Sequence, residues 1–250
     1  MQRTTLLALG CLPWLTACQW LPNMPGWPAT ESQLQPRSIN WERQAAGCQG
    51  ELCSLLHVES LSFPGEPELD ALIEARLLEL ALSEEATPGA RSLLEHAGRL
   101  LPNAPERWQS WLQAKLIDQH GDVLVVELSS YLFTGGAHGI PGRGFINYSR
   151  SRKQALRLTD IILPGREDAF WNLARAARRA WLQSEGLDQD RDFQASWPFV
   201  MTDNVALLRD RIQLKYDVYA MAPYSMGHPV LDIPYGHLQE VLRPEFLPKP

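Results

Sequence analysis

Between Trp111 and Phe133 the chain runs WLQAKLIDQHGDVLVVELSSYLF, and this stretch constrains the fold most strongly. Two strand-like runs flank a turn at Asp118 to Asp122, the second rich in Val and Leu, which predicts a β-hairpin. Short β-like segments also fall between Ile39 and Val58, and GFINYSRSRKQALRLTDII reads as a further hairpin turning near Arg152, Lys153 and Gln154. Helical spacing is equally plain. Leu69, Leu72, Ile73, Leu77 and Leu80 fall on one face of an amphipathic helix in PELDALIEARLLELAL, and a second helix is predicted from Ala90 to Leu101, before Pro102. In EDAFWNLARAARRAWLQSEG, Phe170, Leu173, Ala174, Ala177 and Trp181 face one way. Arg175, Arg178 and Arg179 lie mostly on the other, as a solvated face, and Gly186 ends the helix. FVMTDNVALLRDRIQLKYDVYA predicts a hairpin about Thr202 to Asn204, and VLDIPYGHLQEVL a last strand and helical turn. Strands and helices cluster rather than alternate. The expected class is therefore α+β, with mainly antiparallel sheets, packed helices and two intertwined subdomains over 39–105 and 106–250.

The start of the chain supplies an address. MQRTTLLALGCLPWLTACQW has a positive residue, a short apolar run and small residues before Cys18, the layout of a secretory signal over residues 1–17. A membrane-spanning helix would need about 20 apolar residues. Leu15-Thr16-Ala17-Cys18 resembles a bacterial lipobox, which implies lipidation of Cys18 and attachment to a membrane through the lipid. Gln19 stands where an inner-membrane retention signal usually has Asp, so the expected location is the outer membrane, facing the periplasm. Residues 18–38 hold Pro22, Pro25, Pro28 and Pro36 and read as an extended tether.

Cysteine usage agrees with that compartment. Cys11 leaves with the signal and Cys18 carries lipid, leaving Cys48 and Cys53 to form a disulfide in an oxidising envelope. The formal net charge of −6 becomes one unit more negative once Arg3 is removed. There is no basic stripe for phosphate contacts, so nucleic acid is not an expected partner. An acidic envelope protein attracts cationic partners.

The densest local signal is SYLFTGGAHG, residues 130–139. As a phosphate cradle it would have to open a helix, but GFINYS after it is strand-like. As a general base His138 would require a nucleophile and an orienting carboxylate, and the chain has no G-x-S-x-G elbow. His57, His96, His120, His228 and His237 form no metal-binding pattern with it, so neither metal nor cofactor is expected. Gly135 and Gly136 permit positive φ and close backbone approach. The favoured reading makes His138 a buried peg bonding to a backbone carbonyl or to Asn147. DQDRD at 188–192 starts like a calcium loop, but Phe193 and Phe199 occupy its Gly and Glu positions. Tyr224 and Tyr235, beside prolines, read as core residues with hydroxyls at the rim, or as a sugar-stacking platform.

Several separated motifs occur in a recognisable order. Gly135 to His138, Asn147, Leu158 to Asp160, Ala222 to Tyr224 with Gly227, and Ile233 to Tyr235 together resemble the RsiV-like extracellular domain family. FPGEPELDALIEA resembles the smaller domain that commonly precedes it, so the likeness spans roughly residues 39 to 243. Where that family often has Gly in a hairpin turn, this chain has Arg152-Lys153-Gln154. The family's lysozyme-sensing anti-sigma factors carry a sigma-binding segment and a membrane-spanning helix, and this sequence shows neither. What the resemblance implies is the fold and a binding role. The expected function is a non-catalytic lipoprotein binding an envelope protein or glycan, with lysozyme or peptidoglycan as the leading partners. The alternatives are a cell-wall deacetylase or hydrolase, and a purely structural lipoprotein. The candidate binding or loop-organising residues are Gly135, Gly136, His138, Asn147, Tyr224 and Tyr235.

Overall fold

The computed structural model describes residues 33–50, 52–82 and 89–248; Cys18, the expected leader and the tether as far as residue 32 lie outside the described residues. Strands β1 (Arg37–Gln44), β2 (Leu55–Ser62), β3 (Gln109–His120), β4 (Val123–Phe133), β5 (Ile140–Ser149) and β6 (Gln154–Ala155) form one sheet in chain order. Every neighbouring pair is antiparallel except β2–β3. That pair is parallel, and its connection holds helices α1 (Pro67–Leu82) and α2 (Leu93–Leu100), the crossover that parallel strands require. Strands β7 (Val205–Leu207), β8 (Arg211–Lys215) and β9 (Val230–Pro234) form a second, antiparallel sheet. Helices α3 (Leu158–Ile161), α4 (Glu167–Ser184) and α5 (Arg191–Ser196) precede it. The fold is α+β.

The burial of β4 explains its composition. Leu124, Val126, Leu128 and Leu132 point into a core shared with Leu69, Ile73 and Leu77 of α1. Val123 and Val125 point to the opposite face, into a second core made with the small sheet and Phe170 and Ala174 of α4. The start of the strand is thus buried on both sides and reads as a continuous apolar run. Its end is not. Beyond Glu127 the second face is uncovered, and Ser129 and Tyr131 stand on it.

Local chemistry fixes the element ends. Ser92 caps α2 by accepting from the Glu95 N–H at 3.1 Å, which sets the start two to three residues later than the expected Ala90. Gly186, at φ 71, closes α4: its N–H donates to the Gln183 carbonyl at 3.1 Å and that of Leu187 to the Leu182 carbonyl at 2.8 Å, a Schellman arrangement. The helix's arginines are not simply a solvated face. Arg178 donates to the Trp197 carbonyl at 2.6 Å, and the Arg175 guanidinium lies 5.2 Å from the centre of the Phe199 ring.

One expected turn moves. The reversal after Phe199 occurs at Leu208–Asp210, between β7 and β8, and not at Thr202–Asn204. The polar residues there cap the start of β7 instead: the Asn204 N–H donates to Thr202 Oγ1 at 3.1 Å, and its side-chain amide to the Lys215 carbonyl at 3.1 Å. The true turn is held by Arg209, whose N–H donates to Asp118 and whose guanidinium donates to the Gln119 carbonyl, each at 2.6 Å. A disulfide joins Cys48 and Cys53 in the β1–β2 connection. No described helix is long and apolar enough to cross a membrane.

Candidate functional site: an aromatic row at the Gly139 loop

The uncovered face of the large sheet carries a row of rings. Trp111 on β3 is directly opposite Tyr131 on β4, and the two ring centres are 5.8 Å apart. Pro141 on β5 continues the row, and His57 on β2 begins it. Such cross-strand neighbours share a face and are the unit of sheet packing.

At Pro141 the row meets the glycine loop. The Gly139 N–H donates to the Tyr131 hydroxyl at 3.0 Å, and its carbonyl accepts from the Tyr224 hydroxyl at 2.9 Å. His138 Nδ1 lies 3.1 Å from the same carbonyl, and its ring stacks on Tyr224 with centres 4.1 Å apart. Tyr219 follows, 5.7 Å from Tyr224. Tyr131, His138 and Tyr224 thus meet at one backbone unit, with Trp111 and Tyr219 beside them at either end. Met221 and Ala222, both fully buried, anchor the segment that presents the last two.

Two backbone features show how tightly this arrangement is specified. A Cβ on Gly139 would lie 2.4 Å from Tyr131 Cζ and 2.6 Å from the Leu132 carbonyl oxygen, so only glycine fits. Tyr219 adopts φ 66, a left-handed conformation that is costly for a bulky residue, while its side chain remains 55% exposed. Strain of this kind concentrates where a fold presents a functional side chain.

The polar surroundings lie on the β1–β3 side of the row. His57 lies 3.4 Å from Glu42 and 3.2 Å from Glu59. Gln113 also donates to Glu59, and this bond, followed by the one to His57, lowers the Glu59 pKa from the ordinary carboxylate range. Among the described residues, no group of three or more His, Cys, Asp or Glu side chains is placed to hold a metal ion.

The structure separates the residues the sequence grouped together. His138 is exposed, not buried; of its two expected partners it meets a backbone carbonyl, that of Gly139, and not Asn147, and its ring stacks on Tyr224. Asn147 is buried between the two sheets, donating to the Val205 carbonyl at 2.7 Å and accepting from the Leu207 N–H at 2.8 Å. Gly135 has φ 90 and so needs to be glycine; Gly136 is exposed with open space around it. Tyr224 belongs to the row. Tyr235 does not: it is 5% exposed in the small-sheet core, where burial, and then Asp118 and Asp210, push its hydroxyl pKa up. Trp111, Tyr131, Gly139, Tyr219 and His57 were missing from the sequence-derived site. The β3–β4 hairpin brings Trp111 beside Tyr131, but only through the bulge at Ile117, which the hairpin pattern alone does not reveal.

A large mixed sheet backed by α1 and α2, a small sheet backed by α4, and an open face lined with rings make up an α+β domain. Residues 159–236 match the family described as "Protein of unknown function (DUF3298)". A crystal structure of a DUF3298 family protein from Pseudomonas aeruginosa PAO1 is 47% identical, covering 87% of this chain and 98% of that one, with a TM-score of 0.82. This chain belongs to the DUF3298 family. A DUF3298 member from Bacteroides fragilis NCTC 9343, at 19% identity, shares the fold with a TM-score of 0.65 over 84% of this chain and 94% of that one. No curated protein matches the chain.

Proposed function

We propose that this protein is a non-catalytic binding module of the cell envelope, and that the aromatic row at Gly139 is its binding surface. The exposed Tyr131 and His138 and the half-buried Tyr224, held at one glycine with the exposed Tyr219 beside them, carry this reading. Tyrosine and tryptophan on a rigid support give large contact area at little entropic cost, which is why they dominate binding hot spots. In this reading Cys18 is lipidated and the body faces the periplasm from the outer membrane. The RsiV-like resemblance extends to the binding role, with lysozyme as the protein partner. The net charge of −6 favours association with so basic a protein.

The test is to compare the wild-type chain with Tyr219→Ala and Tyr131→Phe in binding to lysozyme. Tyr219→Ala removes a ring that no core packing needs, and a tenfold or greater loss of affinity, about 1.4 kcal/mol or more, is expected with the melting temperature unchanged. Tyr131→Phe removes the hydroxyl that holds Gly139 and should weaken binding as well. Undiminished binding by both variants would remove the row from the interface. If lysozyme does not bind at all, soluble peptidoglycan fragments are the next ligands to titrate.

A further inference from the structure

Strand β1 ends the large sheet, and no described strand pairs with its outer side. The segment leading into it, Gln33–Pro36, lies away from that edge: the Leu34 N–H donates to the Gln119 side chain at 2.7 Å, at the end of β3. The phase of the β1–β2 ladder is set by the Ala45 N–H, which donates to the Ser54 carbonyl at 3.1 Å. By alternation, Ile39, Trp41 and Arg43 exchange hydrogen bonds with β2. Ser38, Asn40, Glu42 and Gln44 therefore direct their backbone groups outward.

The side chains on the helix-facing side of this edge are not those of a protected one. Ile39, Trp41 and Arg43 line a groove of about 390 Å³ between β1, α1 and α2, with Asp70, Glu74 and Leu94 on its far wall. Ile39 is 42% exposed and Leu94 56%. A long edge strand with apolar residues is a template for another strand unless its charges forbid pairing.

Among the registers that overlap most of β1, its charges select one. Directly opposed residues in an antiparallel pair must both direct their backbone groups to the partner, or both away from it. Self-pairing is therefore centred on a residue. Centring on Asn40 would set Arg37 against Arg43 of the second copy, like against like. Centring on Trp41 sets Ser38 against Gln44, Ile39 against Arg43 and Asn40 against Glu42, with no like charges opposed. It also brings Arg43 of each copy to the groove that holds Asp70 and Glu74 of the other. We propose that β1 pairs antiparallel with β1 of a second copy of this chain, about a two-fold axis at Trp41, joining the two large sheets and their grooves. A self-complementary patch of this kind is what a closed two-fold dimer requires.

The experiment is disulfide trapping in the full chain, purified in detergent and mildly oxidised, with the wild type as reference on a non-reducing gel. Trp41→Cys places its thiol opposite its own copy at a non-hydrogen-bonded position, and the main band should shift from one chain to two. The double variant Ser38→Cys/Gln44→Cys tests the same register without touching the Trp41 packing, and should shift likewise. Asn40→Cys should stay at the wild-type position, because its copy lies about 8 Å away along this register, beyond the ~7 Å Cα limit for a disulfide. Failure of both Trp41→Cys and the double variant to shift would overturn the proposal, as would equal trapping of Asn40→Cys.

Discussion

Gly139 holds more of the candidate site than the two glycines that precede it. Its N–H and carbonyl are bonded to Tyr131 and Tyr224, and there is no room for a side chain. Gly139→Ala should destabilise the fold by about 1–3 kcal/mol, the usual cost of forcing atoms into a packed site, and thermal unfolding will measure it. His228 offers a second test. Its Nδ1–H donates to the Tyr216 carbonyl at 2.9 Å, while its Nε2 is buried with no hydrogen-bond partner among the described residues. Burial lowers its pKa below the ordinary 6.5, and nearby Arg143 and Lys215 act in the same direction against the opposing bond to Tyr216. The folded chain therefore takes up this proton less readily than the unfolded chain. Stability is unaffected by this group above pH 6.5 and falls as pH drops below it. His228→Phe should flatten that part of the pH–stability curve; an unchanged slope would contradict the assignment. Of the residues themselves, His138 and Tyr224 were legible from glycine-rich and proline-rich surroundings. Asn147 meets not His138 but backbone groups of a strand 58 to 60 residues away, a pairing no local pattern reveals.

At the scale of elements, the stripe on α1 and the face of α4 followed from helical periodicity, since burial on one side leaves that mark in any sequence. The aromatic row did not follow, and a single residue explains why. The β3–β4 turn pairs His120 with Val123, and counting back from it would oppose Trp111 to Leu132. The register shifts between Leu116 and Asp118, so Ile117 is an extra residue and Trp111 meets Tyr131 instead. A bulge reverses which face every later side chain occupies, and nothing in the local sequence announces it. The turn of the small sheet is hidden for a related reason: Thr202–Asn204 has turn-forming composition but caps a strand. The Asn147 side chain links that sheet to the large one, beside the Lys215–Glu127 ion pair and the shared apolar core. Asn147→Ala would leave a buried carbonyl on Val205 and a buried N–H on Leu207 without partners. A loss of about 1–3 kcal/mol per group is expected, with faster hydrogen exchange at Leu207 as the local readout.

The whole molecule is held together across its sequence halves by a buried carboxylate. Glu66, at the start of α1, accepts from the Tyr148 hydroxyl at 3.2 Å and pairs with Lys153 and, at 3.9 Å, with Arg150. Burial first, and then the Glu66 charge, push the Tyr148 hydroxyl up to about 12. Lys153 is nearly half exposed, which keeps its share of the energy small. Glu66→Ala should nonetheless cost about 2 kcal/mol through the unpaired groups left behind, read as a lower denaturant midpoint with an unchanged slope. Calorimetric titration of the full chain with lysozyme at low and high salt probes this same body as the proposed binding module. Saturable binding that weakens as salt screens the charge difference between the partners is expected. No heat of binding at either salt concentration, together with no inhibition of lysis, would contradict it.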